Sequence, residues 1–365
     1  MTEEAAAYAR VHRHSAGNGA LMRTAPVALA HLDDRDQLAR AARAVASLTH
    51  ADPLAADSCV LWCEAIRVAV LHARTDVRAG LDLIPAERRE RWRTWLDEAT
   101  EPTALARPVP GDRFTPNGFT VTALQAATAA IEGTPIPVEE PCRRLQDALH
   151  NAVRIGNDTD TVAAIAGGLL GARWGASAVP WHWRRAVHGW PGSDAVDLVA
   201  LATLAVRGGR TDGTGWPAAG AVDYPEEWAG VVPHPFDRGV LLGSAASRDH
   251  GADAVVSLCR VGREQPCFDG AAEVVHARLM DSDRPEDNPH LRFVLADAAE
   301  AVRALRAEGK RVLVHCVAAQ QRTPSVAVAY AVLLGVEPEA ARAAVRAALP
   351  QARGRGLVWE AADLR

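Results

Sequence analysis

Near the end of this chain, His315-Cys316 closes the apolar run RVLVHC, and after five further residues Arg322-Thr323 opens a buried-helix pattern. Strand, Cys-x5-Arg loop and helix in that order build a cradle of backbone N–H groups with a thiol at its base. A thiol does phosphate chemistry as thiolate. A free cysteine ionises near pH ~8.5, so it needs positive surroundings at neutral pH. Arg322 offers a planar fork for two phosphoryl oxygens. Pro324, in the first helical turn, gives up an N–H that has no intrahelical partner anyway. The chemistry these residue types suit is phosphomonoester cleavage through a phosphocysteine, with Cys316 as nucleophile and no metal required. In an arginine-rich chain a bare Cys-x5-Arg is weak, and a strand-turn-helix with a buried cysteine is the plain alternative. The preceding strand, His315, Thr323 and the apolar helix favour the functional reading.

A second set lies in GNDTDTVAAIAGGLLGARWG, residues 156 to 175. Asp158, Asp160 and Thr161 put hard oxygens at the start of an apolar helix, a donor type that suits Mg²⁺. Taken alone, the same residues could be an N-cap with acids at the positive helix end. Glycines 167, 168, 171 and 175 would let that helix pack closely.

Around these sets, the chain divides by pattern. Residues 35–75, 85–100, 119–132, 138–152, 159–173 and 194–206 carry helical periodicity, with almost no period-2 signal before residue 230. A Gly/Thr/Asp-rich stretch, 207–222, reads as a linker. Short strands at 240–244, 254–259, 274–280 and 311–316 then alternate with helices at 290–308, 323–335 and 337–348, which implies an α/β sheet. The expected fold class is therefore multi-domain: an all-α domain over 1–206, a linker over 207–229 and an α/β domain over 230–365.

Net charge is −5 and Lys310 is the sole lysine, so no basic field points to nucleic acid or an anionic membrane. Six cysteines show no zinc-like pairing, and Cys59 and Cys63, one helical turn apart, read as buried packing. Without a disulfide framework, a secretory h-region or a membrane-length apolar run, a reducing cytoplasm is the expected location.

From VLLGSAAS (240–247) through AVVSLC and an acidic loop to HCVAAQQRT, roughly residues 232–365, the sequence resembles the cysteine-based phosphatases of the compact dual-specificity type. The resemblance implies that Cys316 attacks phosphorus, Arg322 clamps the oxygens, Thr323 assists the sulfur as leaving group and His315 orders the loop. It also implies a general acid about thirty residues upstream; in LMDSDRPEDNPHL, spacing favours Asp283 over Asp281 and Asp287. The substrate would be a phosphorylated protein or small molecule. The family usually has Gly three residues after the nucleophile, where this chain has Ala319; a positive φ there would cost roughly 1 kcal/mol. Gln320 and Gln321 are also unusual.

In the other half, SAGNGALMRTAPVAL (15–29), SLTHADPLA (47–55), GFTVTALQAATAAI (118–131), GNDTDT and AVPWHW (178–183) follow one another. That order resembles the ADP-ribosylglycohydrolase family over about residues 10–205. The resemblance implies Asp158, Asp160 and Thr161 as magnesium ligands, Gly17, Asn18 and Gly19 beside the ribose-phosphate, and His50 in a packing or supporting role. ADP-ribose or an ADP-ribosylated protein would be the partner. The family's Thr-Asp-Asp motif, upstream of the GNG segment, has no counterpart here; Asp33-Asp34 falls after GNG and reads as a helix start. Half a metal cluster has too few carboxylates for two ions. The expectation is thus a shortened ADP-ribosylglycohydrolase-like domain fused to a phosphatase. Mg²⁺-dependent ADP-ribosyl hydrolysis, or ADP-ribose binding without catalysis, is the alternative activity of the first part.

Overall fold

A computed structural model of the protein describes residues 2–12, 15–106, 108–224 and 228–364. Two compact units divide it: one of residues 1–176 with 205–209, the other of 177–204 with 210–365. Residues 177–204, grouped by sequence pattern with the helical part, thus cluster with the second unit.

The first unit is helical. Its helices are α1 (Thr2–Val11), α2 (Ala25–Ala30), α3 (Arg35–Ser47), α4 (Pro53–His72), α5 (Ala86–Thr100), α6 (Pro102–Ala106), α7 (Thr120–Glu132), α8 (Arg144–Arg154) and α9 (Thr159–Trp174). Asp34 starts α3 by accepting a hydrogen bond from the Gln37 amide at 2.8 Å, as a capping aspartate should. Asp52 does the same for α4 through Leu54, with Pro53 behind it. α4, α7 and α9 form the centre. Their sequences are apolar around most of the circumference because α4 buries Cys59, Leu61, Trp62, Ile66 and their neighbours on every side. Trp62 Nε1 donates to the Ile165 carbonyl at 3.0 Å, satisfying the one polar atom its ring brings into the core. Burial pushes the Cys59 thiol up to about 11, in keeping with a packing role. Of the glycines in α9, Gly168 earns its place by close approach: a Cβ there would sit 3.1 Å from that of Ala25, whereas Gly171 and Gly175 face open space.

The second unit holds α10 (Trp181–Ala186), a two-residue ladder of β1 (His188–Gly189) and β2 (Ser193–Asp194), and most of α11 (Ala195–Val206). It then builds a five-stranded mixed sheet from β3 (Val231–His234), β4 (Asp237–Ser244), β5 (Ala254–Ser257), β6 (Glu273–His276) and β7 (Val312–Cys316). The order is β3-β4-β7-β5-β6, antiparallel at the β3–β4 edge and parallel elsewhere. α12 (Leu291–Ala307), α13 (Arg322–Leu333), α14 (Pro338–Ala348) and α15 (Leu357–Glu360) complete it. β7 is central and all five of its residues are buried, which explains its continuous apolar run. Its carboxyl end lies where chain connections diverge to either side, the usual position of a ligand site in such sheets.

The stretch expected to be a linker packs on this unit. Gly220 O accepts from the Glu264 amide at 2.6 Å, and Val222 exchanges two hydrogen bonds with the Gln265 side chain. Backbone runs so close there that a Cβ on Gly262 would stand 2.0 Å from Gly220 O. Gly/Thr/Asp content marks a chain without regular structure, and such a chain can still be pinned by its backbone groups.

Candidate functional sites

In the first unit, a polar network joins three separated motifs. Asn18 is buried, and its Nδ2 donates to Asn117 O at 2.9 Å and to Asp158 Oδ2 at 2.6 Å. Asn117 returns the contact: its Oδ1 accepts from the Asp158 amide at 2.9 Å, and its Nδ2 donates to Gly156 O. Gly17 bridges to Phe119. His50 packs against the same segment, and a Cβ on Gly17 or Gly19 would come 3.2 or 3.3 Å from its ring. The glycines on either side of Asn18 therefore make room for His50. Burial, assisted by Arg23, lowers the His50 pKa and favours a neutral ring. A cavity of about 410 Å³ opens beside Gly17, walled by Ser15, Asp52 and half-exposed Phe119.

Asp158 precedes α9, while Asp160 is exposed in its first turn. Thr161 is buried, with its hydroxyl 3.7 Å from Met22 Sδ. Gly17, Asn18 and Asp158 are thus brought together. Asn117 was missed by sequence reasoning; it stood in a Pro/Gly loop one residue before the quoted GFTV segment, and a lone asparagine there carries no signal. Among the described residues no group of three or more His, Cys, Asp or Glu could hold a metal. Two carboxylates and a hydroxyl make a donor set for one hydrated magnesium ion, not for two.

In the second unit, Cys316 ends β7 and Arg322 begins α13, with both side chains buried. Arg322 Nη1 donates to Leu279 O at 3.1 Å and to Leu258 O at 3.4 Å, the residues just beyond β6 and β5. Its Nε is buried and has no hydrogen-bond partner among the described residues. Such an N–H is costly to leave unpaired, so it is a donor awaiting an acceptor. Ala319, fully buried, adopts φ +55°. That is the left-handed conformation for which glycine is the natural residue, and alanine accepts the cost. The turn so formed places a thiol, an unpaired guanidinium N–H and a helix N-terminus at the end of the central strand, an arrangement able to hold an oxyanion.

His315 is fully buried: its Nδ1 lies 3.3 Å from Cys316 O and its Nε2 3.3 Å from Cys267 Sγ. Burial pushes its pKa down to about 4, so the ring is neutral. Thr323 Oγ1 donates to the Gly243 carbonyl on the adjacent strand at 3.3 Å. The three acidic candidates separate by partner. Asp283 Oδ1 accepts from the Leu357 amide at 2.9 Å, and a Cβ on Gly356 would meet both that oxygen and Gln321 Nε2. Asp283 thus stands beside the turn. Asp287 is held by Ser282 and Arg284, and Asp281 faces Arg353 at 3.6 Å. Gln321 Nε2 donates to Arg355 O and Gln320 O accepts from the Arg353 amide, so these two glutamines tie the turn to the segment that follows α14. A cavity of about 230 Å³ adjoins the turn at Val317, lined by Tyr224, Trp228, Ala245 and Gln265.

Comparison with known proteins gives the class. The family model for ADP-ribosylglycohydrolase matches residues 2–213, more than half of the chain. This chain belongs to that family. It is 29% identical over 169 residues to the ADP-ribosylarginine hydrolase Tri1 of Pseudomonas putida (strain GB-1), covering 46% of this chain and 41% of that protein. It is 26% identical over 208 residues to the ADP-ribosylhydrolase ARH3 of Homo sapiens, covering 49% of this chain and 56% of that one. The chain spans about half the length of the curated relatives it matches. A solved ADP-ribosylglycohydrolase-related protein complex aligns with 57% of this chain and 69% of its own at 27% identity and a TM-score of 0.40.

Proposed function

We propose that the first unit recognises an ADP-ribosyl group. Family membership over residues 2–213 carries this reading, and the network of Asn18, Asn117 and Asp158 beside an open cavity supports it. Bound magnesium would supply a positive charge for phosphate or ribose oxygens. Asp158, Asp160 and Thr161 are the residues to hold it, and since they suit one ion, no two-metal step is derived from them. Asn18 fixes the Asp158 carboxylate, and Phe119 offers an aromatic wall. Calorimetric titration with ADP-ribose should show binding that Asp158→Ala weakens by about tenfold, the worth of one charge-assisted contact. Absence of binding would overturn the reading. Release of ADP-ribose from an ADP-ribosylated arginine peptide, stopped by chelator, would extend it to hydrolysis.

A second reading rests on a separate observation: the Cys316 turn with Arg322 Nε unpartnered. We infer that the second unit hydrolyses a phosphomonoester. Cys316 Sγ, as thiolate, attacks phosphorus while the bond to the leaving oxygen breaks. Arg322 holds two equatorial oxygens as their charge grows. Asp283, as general acid, gives a proton to the leaving oxygen, then takes one from the water that breaks the P–S bond. His315, neutral and immobile, fixes the Cys316 carbonyl, and Thr323 ties the start of α13 to β4. Cys316→Ser should lower turnover of p-nitrophenyl phosphate by about a thousandfold or more, and Asp283→Asn should lower kcat by about a hundredfold or more. Undiminished turnover by Cys316→Ser removes the reading.

A further inference from the structure

Arg278 follows β6 by two residues and sits beside Leu279, whose carbonyl receives Arg322. Its guanidinium lies over the Trp216 ring, Cζ 5.6 Å from the centroid; Arg260, two residues past Leu258, lies over the same ring at 5.3 Å. The pinned strap that carries Trp216 therefore gathers two arginines at the carboxyl ends of β5 and β6, the edge at which Arg322 is anchored. Arg184, from α10, is nearby and already answered by Asp297 at 2.8 Å. Arg260 has Asp212 at 3.4 Å. Arg278 has no carboxylate partner among the described residues, and its Nε is buried without an acceptor. Burial, then the neighbouring Arg184 and Arg260, pulls its pKa down to about 10, the sign of a crowded cation lacking a counter-charge. A cation held near an indole ring is steadied by the ring's negative face, and its N–H groups can still donate to an anion.

We propose that Arg278 and Arg260, held on Trp216, form a second phosphate subsite beside the Cys316 turn, so that the preferred substrate carries two phosphate groups. The subsite deepens the phosphomonoester reading and rests on it for the word substrate. One phosphate would sit at Cys316 and Arg322, and the other, unreacted, at Arg278. Paired arginines with one unanswered charge favour a polyanion over a lone phosphate, because each further charge meets a separate guanidinium.

The experiment has two arms, both on the full chain. In the first, kcat/KM is measured for glucose 1,6-bisphosphate and glucose 1-phosphate. The ratio between them should exceed ten and fall by about tenfold in Arg278→Gln. A ratio near one in the parent chain, or one that Arg278→Gln leaves in place, overturns the subsite. In the second, inorganic tripolyphosphate is titrated calorimetrically without turnover. Binding should weaken by about tenfold in Arg278→Gln and severalfold in Arg260→Gln, the exposed partner whose loss threatens the fold least, and should weaken steeply with salt. Equal affinity across the three chains overturns the subsite. Failure of the phosphomonoester reading shows differently: neither sugar phosphate turns over, while tripolyphosphate still distinguishes the variants.

Discussion

Ala319 shows how far a single residue sets the second site. Its backbone is left-handed at φ +55°, its side chain has no exposure, and the turn it shapes connects the thiol of Cys316 to the guanidinium of Arg322. Alanine in that conformation costs about 1 kcal/mol or slightly more relative to glycine. Glycine would also loosen the unfolded chain, which takes back ~0.5 kcal/mol. Ala319→Gly should therefore stabilise the second unit modestly, by roughly 0.5–1 kcal/mol. Ala319→Val should destabilise it by about 2 kcal/mol or more, since a β-branched residue resists positive φ and the site has no spare volume. Urea denaturation of the two variants checks the sign of each. Equal midpoints would mean that the strain lies elsewhere.

At the scale of elements, α4 organises the first unit through a buried charge as much as through its apolar surface. Asp57 is fully buried on α4; Arg43 of α3 reaches it at 3.1 Å, Arg88 of α5 at 2.5 Å, and Trp92 Nε1 of α5 at 3.3 Å. One carboxylate clamps two helices to a third. Asp57→Ala would strand two guanidinium groups and an indole N–H beside a cavity. Both arginines retain partial solvent contact, so the cost should be about 3 kcal/mol rather than more. Thermal unfolding would measure it, and a loss under about 1 kcal/mol would mean that apolar packing alone holds α3 and α5. Nothing in the sequence marked Asp57, because an acid in an apolar helix has no visible partner until α3 and α5 fold beside it. The helices themselves were legible in position: 86–100, 120–132 and 159–174 lie within a residue of the spans read as helical, although α7 and α9 are apolar around most of their circumference. So were β5 and β7, whose runs are short and β-branched. β3 was not, for it lies at the sheet's edge with a mixed burial pattern and a proline, which weakens any strand signal. At the sites, residue type and spacing singled out Cys316, Arg322 and Asp158 because chemistry restricts residue type there, whereas Asn18 came only from the family resemblance. Asn117, Trp216 and Arg278 stayed hidden because their roles arise from contacts across long sequence separations.

Across the whole molecule, the two units place their buried polar groups differently, and acidity should tell them apart. The first unit sets buried carboxylates, Asp57 and Glu64, against arginines. The second buries imidazoles. Burial pushes His315 down to about 4 and His276, whose Nδ1 is out of reach of solvent, down to about 3, while His234 and His250 are also lowered by burial. A histidine whose folded pKa lies below its unfolded value near 6.5 leaves the unfolded chain binding more protons. Stability from such a group is fully present above pH ~6.5 and is lost as the pH falls toward the folded value. The second unit should thus weaken between pH ~6.5 and ~4, by up to about 1.4 kcal/mol per pH unit for each of His315 and His276. Hydrogen exchange followed by mass spectrometry can read this separately in each unit: peptides from β5 and β7 should lose protection over that window, while peptides from α4 and α7, in the unit where His50 is the one lowered imidazole among the described residues, should lose less. His276→Gln should remove about one proton from the dependence and flatten the β5 curve. If β5 and β7 keep full protection at pH 4.5, those imidazoles take up protons without opening the sheet, and the acid sensitivity assigned to them is wrong.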